Sequence, residues 1–304
     1  SGETKFTAFA KNFSNVSGSL GLSYEVSKSL AIKANLARGF RAPNFAELAS
    51  NGAHEGTNRY ETGNNNLLSE VSLQGDAGIE LTTEHVSLNA SLFYNHINHF
   101  IFYRRLQNQA GSDSLITDPE TGDILEVYKF DQHTANLYGA EFSMDIHPHP
   151  LDWLHFKNVF SYTHGQFTQT IDGSANVPFI PAARLVTTLS GDFFKKGKLF
   201  RNLNLGIESD YVFKQNHPFT GYNTETNTPG YWLLGANVSI DVVNKGNTLF
   251  TLSITCENLG DIAYQNSLSR FKYLEVNNVT GRQGVFNMGR NIGIKINVPL
   301  RFTF

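Results

Sequence analysis

The sequence predicts an all-β fold, an antiparallel transmembrane β-barrel, and three observations carry that expectation. Apolar and polar residues alternate with period two from end to end, about ten residues at a time, which is the pattern of a strand with unlike faces. No run of ~18 apolar residues occurs, so no segment could cross a bilayer as a helix. The connections between alternating segments are short and long in turn, the habit of outer-membrane barrels, whose short turns face the periplasm and long loops the outside.

The strands follow in order. Leu20, Leu22, Tyr24 and Val26 oppose Ser19, Gly21, Ser23 and Glu25, and Leu30, Ile32, Ala34 and Leu36 oppose Lys33 and Asn35. Val71 to Leu81 and Val86 to Tyr94 repeat the pattern, as do Tyr138 to Ile146, Leu203 to Phe213 and Trp232 to Ile240. Segments near 152–168, 182–194 and 248–258 fit more loosely. The last segment is the cleanest, with Ile292, Ile294, Ile296, Val298, Leu300, Phe302 and Phe304 on one face. Short turns are expected near Ser27, Thr83, His147, Lys196 and Lys245, and long loops over 40–68, 105–126, 169–180, 215–230 and 259–288. The apolar face is read as the lipid side and the polar face as a wet lumen. In a sandwich the apolar faces would meet each other instead.

About eleven strands result, or twelve if residues 4–13 add one. An odd number cannot close alone, because both ends of a bacterial single-chain barrel meet on one side. An open edge in lipid would leave N–H and C=O groups unpaired. Either the twelfth strand exists, giving a self-contained 12-stranded pore or outer-membrane hydrolase, or the chain is part of a larger barrel.

Composition narrows the function. Charged residues make up 17%, below the ~25% of soluble domains. The net charge is −3 with no basic tract, so no nucleic-acid partner is expected. Cys256 is the single cysteine, which excludes a disulfide framework and reads as a small apolar strand residue. Ser1-Gly2-Glu3 opens no signal peptide, so a mature or internal piece is expected. No Gly-x-Ser-x-Gly elbow occurs, and His54-Glu55-Gly56-Thr57 lacks the second histidine of a zinc-protease helix, so no enzyme is expected.

Four motifs carry a resemblance. Gly39-Phe40-Arg41-Ala42-Pro43-Asn44 with Glu47-Leu48 is similar to a "GFRAPN…EL" box. Gly63-Asn64-Asn65-Asn66-Leu67 with Glu70 is similar to "GNPNLxPE", although Asn65 and Ser69 stand where prolines are usual. Asn258-Leu259-Gly260-Asp261 with Tyr264 is similar to "NLxDxxY", and Gly289-Arg290-Asn291 opens a last strand ending in Phe304. In this order and spacing the chain resembles the C-terminal barrel half of TonB-dependent outer-membrane receptors.

The resemblance implies half of a ~22-stranded barrel plugged by an N-terminal domain. Implied partners are the N-terminal barrel half and plug, TonB, and outer-membrane lipid with lipopolysaccharide. No intrinsic cofactor is expected, and haem, a ferric siderophore or zinc would be cargo. The loop candidates are His54, Glu55, Arg59 and Tyr60, since haem receptors of this family place a histidine between the first two boxes. A loop imidazole such as His54 can ligate iron or zinc. His96 and His99 stand three apart on a strand and should face opposite ways. His147 and His149 read as surface residues of a turn. The acidic turn Asp118 to Asp123 could offer oxygens to calcium.

Overall fold

The computed structural model describes residues 10–54 and 59–300. In chain order the elements are β1 (Gly18–Ser27), β2 (Leu30–Arg41), α1 (Phe45–Ala49), β3 (Asn51–His54), β4 (Arg59–Thr62), β5 (Glu70–Thr82), β6 (Val86–Arg105), β7 (Leu115–Thr117), β8 (Ile124–Ile146), β9 (Leu154–Ile171), β10 (Ser174–Asn176), β11 (Arg184–Phe193), β12 (Phe200–Val212), β13 (Tyr231–Asn244), β14 (Asn247–Glu257) and β15 (Asn291–Asn297). Eleven of these run side by side in sequence order, β1-β2-β5-β6-β8-β9-β11-β12-β13-β14-β15, every neighbour antiparallel. The other four are short strands within the long connections. Among the described residues the sheet does not close, and β1 and β15 are its edges.

The cross-strand register sorts the residues as the alternation requires. Leu20 faces Leu36, Leu22 faces Ala34 and Tyr24 faces Ile32, while Ile79 faces Ala90. This apolar face is bare: Leu22 is 71% exposed, Leu92 64% and Ile294 70%. A soluble monomer rarely leaves a continuous apolar wall in water, so the wall is built for lipid. The other face is polar and internally bonded. Lys33 pairs with Glu80. Asn35 donates to Asp76 at 3.2 Å, Asn204 to Asp192 at 2.9 Å, and Thr251 to Asp241 at 2.6 Å. Such cross-strand pairs contribute about 0.2–1 kcal/mol each.

A strand needs about 9–11 residues to span a bilayer. β6, β8 and β9 have 20, 23 and 18 residues, so their long-loop ends project beyond it. The buried core sits there and not in the wall, whose apolar side is reserved for lipid. Phe102, Ala135, Phe167, Ile171, Val177 and Phe219 form one cluster. Leu48, Leu67 and Ile101 form a second, with Phe13 and Phe130 against it. A bulge between Ile97 and Phe100, with His99 at φ 58°, prepares the first cluster. The extra residue reverses which side chains share a face. Phe100 and Phe102 thereby reach Phe167, at ring-centroid distances of 6.3 and 4.8 Å.

Two expectations change. The last strand stops at Asn297, because Pro299 has no N–H to give the ladder. Phe302 and Phe304 lie outside the described residues. Residues 10–17 form no strand, so they contribute nothing to a twelfth, and residues 4–9 are likewise outside the description.

Candidate functional site

The motif residues build two clasps at the feet of the two longest connections. At the first, Arg41 ends β2 and forks onto both carboxylates that flank the loop. Its Nε donates to Glu70 at 2.6 Å and its Nη1 to both oxygens of Glu47 at 2.8 Å. Ala42 and Pro43 lead to Asn44, whose side chain accepts from the Glu47 N–H at 2.8 Å while Glu47 accepts from the Asn44 N–H at 2.8 Å. This reciprocal cap is what lets a helix as short as α1 begin. The second motif docks on the same helix. The Gly63 N–H donates to Ser50 at 2.7 Å and the Asn64 N–H to Glu47 at 2.8 Å. A Cβ at Gly63 would stand 2.5 Å from the Ala49 nitrogen, so only glycine allows the contact. The Asn64 side chain accepts from the Asn66 N–H at 3.1 Å, and Leu67 is fully buried beside Leu48 and Ile101.

The second clasp joins the ends of the 258–290 connection. The buried Asn258 side chain donates to the Ile262 carbonyl and accepts from the Ile262 N–H, both at 2.9 Å. Asp261 accepts from the Arg290 N–H at 2.9 Å, and the Arg290 Nε donates to the Leu259 carbonyl at 2.9 Å. Tyr264 stacks on Tyr231 with centroids 4.3 Å apart. Asn291 then opens β15 opposite Glu257. Phe40 is exposed on the lipid side of β2.

Between the clasped loops lies a cavity of about 340 Å³ lined by Arg59, Tyr103, Tyr128, Phe179, Arg270 and Tyr273 among others. β4 reaches it by pairing in parallel with β8, Arg59 opposite Glu126. The Arg59 guanidinium lies 3.9 Å over Tyr103 and 5.0 Å over Tyr128, and its Nε donates to Glu61 at 2.7 Å. Arg270 donates to the Tyr103 hydroxyl and lies 5.3 Å over its ring. Among the described residues Arg270 has no carboxylate partner within ion-pair distance. The site therefore sets the guanidinium of Arg270 among aromatic rings, with Arg59 held by Glu61 and with Glu126 and Glu225 also in the lining.

The three described loop candidates share the β3–β4 pair but turn to different surroundings. Arg59 lines the mouth cavity. Tyr60 donates to Asn51 at 2.8 Å. His54 stands exposed across the β3–β4 pair from Arg59 and lines a separate concavity with Phe45, Asn51 and Glu61. Glu55 lies outside the described residues. His96 and His99 turn to different partners, the Asn136 side chain at 2.7 Å and the Ser69 carbonyl at 3.2 Å. Asp118 accepts from the Glu120 N–H at 3.1 Å and the Thr121 hydroxyl at 3.0 Å within its own turn.

The β-barrel model of TonB-dependent receptor-like proteins matches residues 1–259. The chain belongs to that family. Receptor barrels of the family are outer-membrane receptors and transporters and not enzymes. Solved structures show the same fold. The copper transporter OprC superposes with a TM-score of 0.69 at 16% identity, over 93% of this chain and 39% of its own. The siderophore receptor PirA from Acinetobacter baumannii gives 0.61 at 18% identity, over 93% and 41%. The ferric enterobactin receptor PfeA from Pseudomonas aeruginosa gives 0.60 at 20% identity, over 93% and 40%. The chain thus spans about two fifths of the length of these structures.

The outer mouth of this receptor barrel also holds a carboxyl that sequence reading passed over. Glu225 is buried and accepts from the N–H groups of Phe179 at 3.0 Å and Phe219 at 3.1 Å. Burial pushes its pKa above the ordinary carboxylate range, opposed by those hydrogen bonds and by Lys272. A carboxyl raised on folding stabilises most below its unfolded pKa, and that stabilisation is lost as pH rises through the folded value. The 213–230 loop should therefore be better protected in mild acid than at neutral pH, after correction for intrinsic exchange rates. Glu225→Gln keeps an oxygen for both N–H donors and should flatten that dependence. An unaltered slope in the variant would remove Glu225 as its source.

Proposed function

We propose that this chain is the C-terminal part of the barrel of a TonB-dependent receptor that takes up an anionic, aromatic metal complex. The N-terminal barrel half and plug complete the lumen and cover the two open edges, and TonB supplies the energy through the plug. Outer-membrane lipid and lipopolysaccharide surround the apolar wall. The observation that supports this cargo is the mouth cavity, in which two guanidinium groups, that of Arg270 without a carboxylate partner among the described residues, stand among four aromatic rings at the long-loop end. Guanidinium groups bind carboxylate and catecholate oxygens through paired N–H donors, and rings stack on aromatic ligands. A ferric catecholate siderophore and haem with its propionates both meet that description. A bare zinc ion does not.

The test uses the purified receptor that carries this chain and three probes, a ferric tris-catecholate, haem and Zn²⁺. Arg270→Ala is expected to weaken an anionic complex about 10- to 100-fold, the worth of one or two charge-assisted hydrogen bonds. The same affinity in Arg270→Ala for both complexes sinks the anionic reading. Haem binding lost in His54→Ala with the catecholate unaffected would assign His54 as an axial ligand. Zn²⁺ binding lost only in His54→Ala would turn the cargo to a bare metal.

A further inference from the structure

The opposite end of the wall carries a histidine cluster that the transport reading does not use. Of the ten histidines in the chain, His85, His147, His149 and His155 gather at two adjacent short turns. Ring centroids are 5.8 Å apart for His85 and His147, 5.6 Å for His85 and His149, and 5.5 Å for His147 and His155. Asp145 lies 3.4 Å from His155 Nδ1, and Asp152 lies 3.9 Å from His85 and 3.7 Å from His149. The two turns are tied by the His147 N–H donating to the His85 carbonyl at 3.0 Å.

We propose that Asp145, His147 and His155 form a binding site for a divalent transition-metal ion of the zinc class at the short-turn rim, because one donor atom from each lies within 4.8 Å of the other two. The ligand set suits zinc, copper or nickel, which favour imidazole. The tautomer of His147 is already set for the task. Its Nε2 lies 2.5 Å from the Glu84 carbonyl, which can only accept, so the proton sits on Nε2 and the lone pair on Nδ1. That Nδ1 is buried and has no hydrogen-bond partner among the described residues. A ligand imidazole donating its other N–H to a backbone carbonyl is the usual outer-shell arrangement of metal sites. Asp145 and His155 sit at strand ends on the polar face, Asp145 opposite Lys157.

Zinc binds imidazole at about 2.0–2.1 Å, which brings donors to about 3.3 Å apart in a tetrahedron. Side-chain rotation at the ends of β8 and β9 supplies that closure. Lys157 Nζ, 3.7 Å from Asp145, must swing away as the ion takes its place. Three protein ligands leave one position for water or a fourth ligand, and His85, whose ring lies 5.8 Å from that of His147 and whose Nδ1 is buried without a hydrogen bond, is a candidate for it. The site rests on the geometry of the turns alone and stands whichever cargo the mouth takes.

The experiment is Zn²⁺ titration into the chelator-stripped receptor in detergent, by calorimetry, with X-ray absorption at the zinc edge. One site of micromolar affinity or tighter is expected, with at least two nitrogen ligands. His147→Ala and His155→Gln should each weaken it roughly tenfold or more, a typical loss for a removed ligand or its orienting partner. His54→Ala should leave it alone. Retained heat-modifiability on gels shows that each variant is folded, and Asp145→Asn supplies a third substitution with little change of shape. Absence of a stoichiometric site in the parent protein, or affinity equal to the parent in folded His147→Ala and His155→Gln, overturns the proposal. Loss in His54→Ala instead would place the ion at the β3 end of the long-loop side and overturn it equally.

Discussion

Arg59→Ala is expected to release β4 from the edge of β8 and to open the outer mouth. Arg59 and Glu61 are 8% and 7% exposed, and they hold each other through Nε at 2.7 Å and a second contact from Nη2. Removing one member of a buried pair leaves the other charge without compensation, at about 3–5 kcal/mol. Losing the guanidinium over Tyr103 adds about 1 kcal/mol. The cost falls first on one loop, since β4 pairs with the wall through residues 126–129 of β8 and adds the contact of Arg59 with Tyr103 of β6. Amide exchange should rise at 59–62 and 126–129 while β12 to β14 stay protected, and affinity for the anionic complexes should fall with it. Glu61→Gln in the same chain should recover part of the loss by removing the stranded carboxylate. Unchanged exchange at those segments in Arg59→Ala would show that the pair does not hold the loop.

The second large effect is expected at Arg41, where one side chain serves two acids. Glu47 and Glu70 have side chains only 11% and 15% exposed, so water replaces Arg41 poorly around them. Arg41 itself is 43% exposed, which tempers the loss to about 2–3 kcal/mol. Glu70 also accepts from the Ile101 N–H at 2.5 Å, so a shifted Glu70 disturbs the start of the outer core. Arg41→Ala should unfold α1, seen as lost exchange protection at Ser50 and Gly63, and should weaken cargo binding indirectly. Arg41→Lys should restore little, because a single ammonium cannot span two carboxylates in the planar fork. A lysine variant indistinguishable from the parent would reduce the clasp to a simple charge.

The wall was legible in the sequence because period-two alternation and loop sorting are local signals. Each of the five short turns and five long loops expected from residue types occurs in the structure. What alternation could not show is the single inserted residue between Ile97 and Phe100, which changes the face of everything after it. It also could not show that β6, β8 and β9 continue past the membrane, since an extended strand reads the same in lipid and above it. The mouth was legible only in part. Arg59 was singled out for its place between two motifs, but Arg270 and Tyr103 are 167 residues apart and meet only through the fold. In the sequence His147 and His149 read as surface residues of a turn, and nothing singles out His85 or His155. His85 stands on a different turn from His147, and the pairing of β6 with β8 is what brings them together.

The two clasps make each of the two longest connections a closed cassette. Its ends are fixed to one another by Arg41, Glu47, Gly63 and Glu70 at one site, and by Asn258, Asp261 and Arg290 at the other. Residues in between that pair with no wall strand, such as those of β3, can be exchanged without asking the wall to pair anew. A receptor built this way can change what it recognises at the pace of its loops, while the part that must insert into a membrane stays the same. Grafting the segment between α1 and β4 of another family member into this chain would be a direct use of that separation.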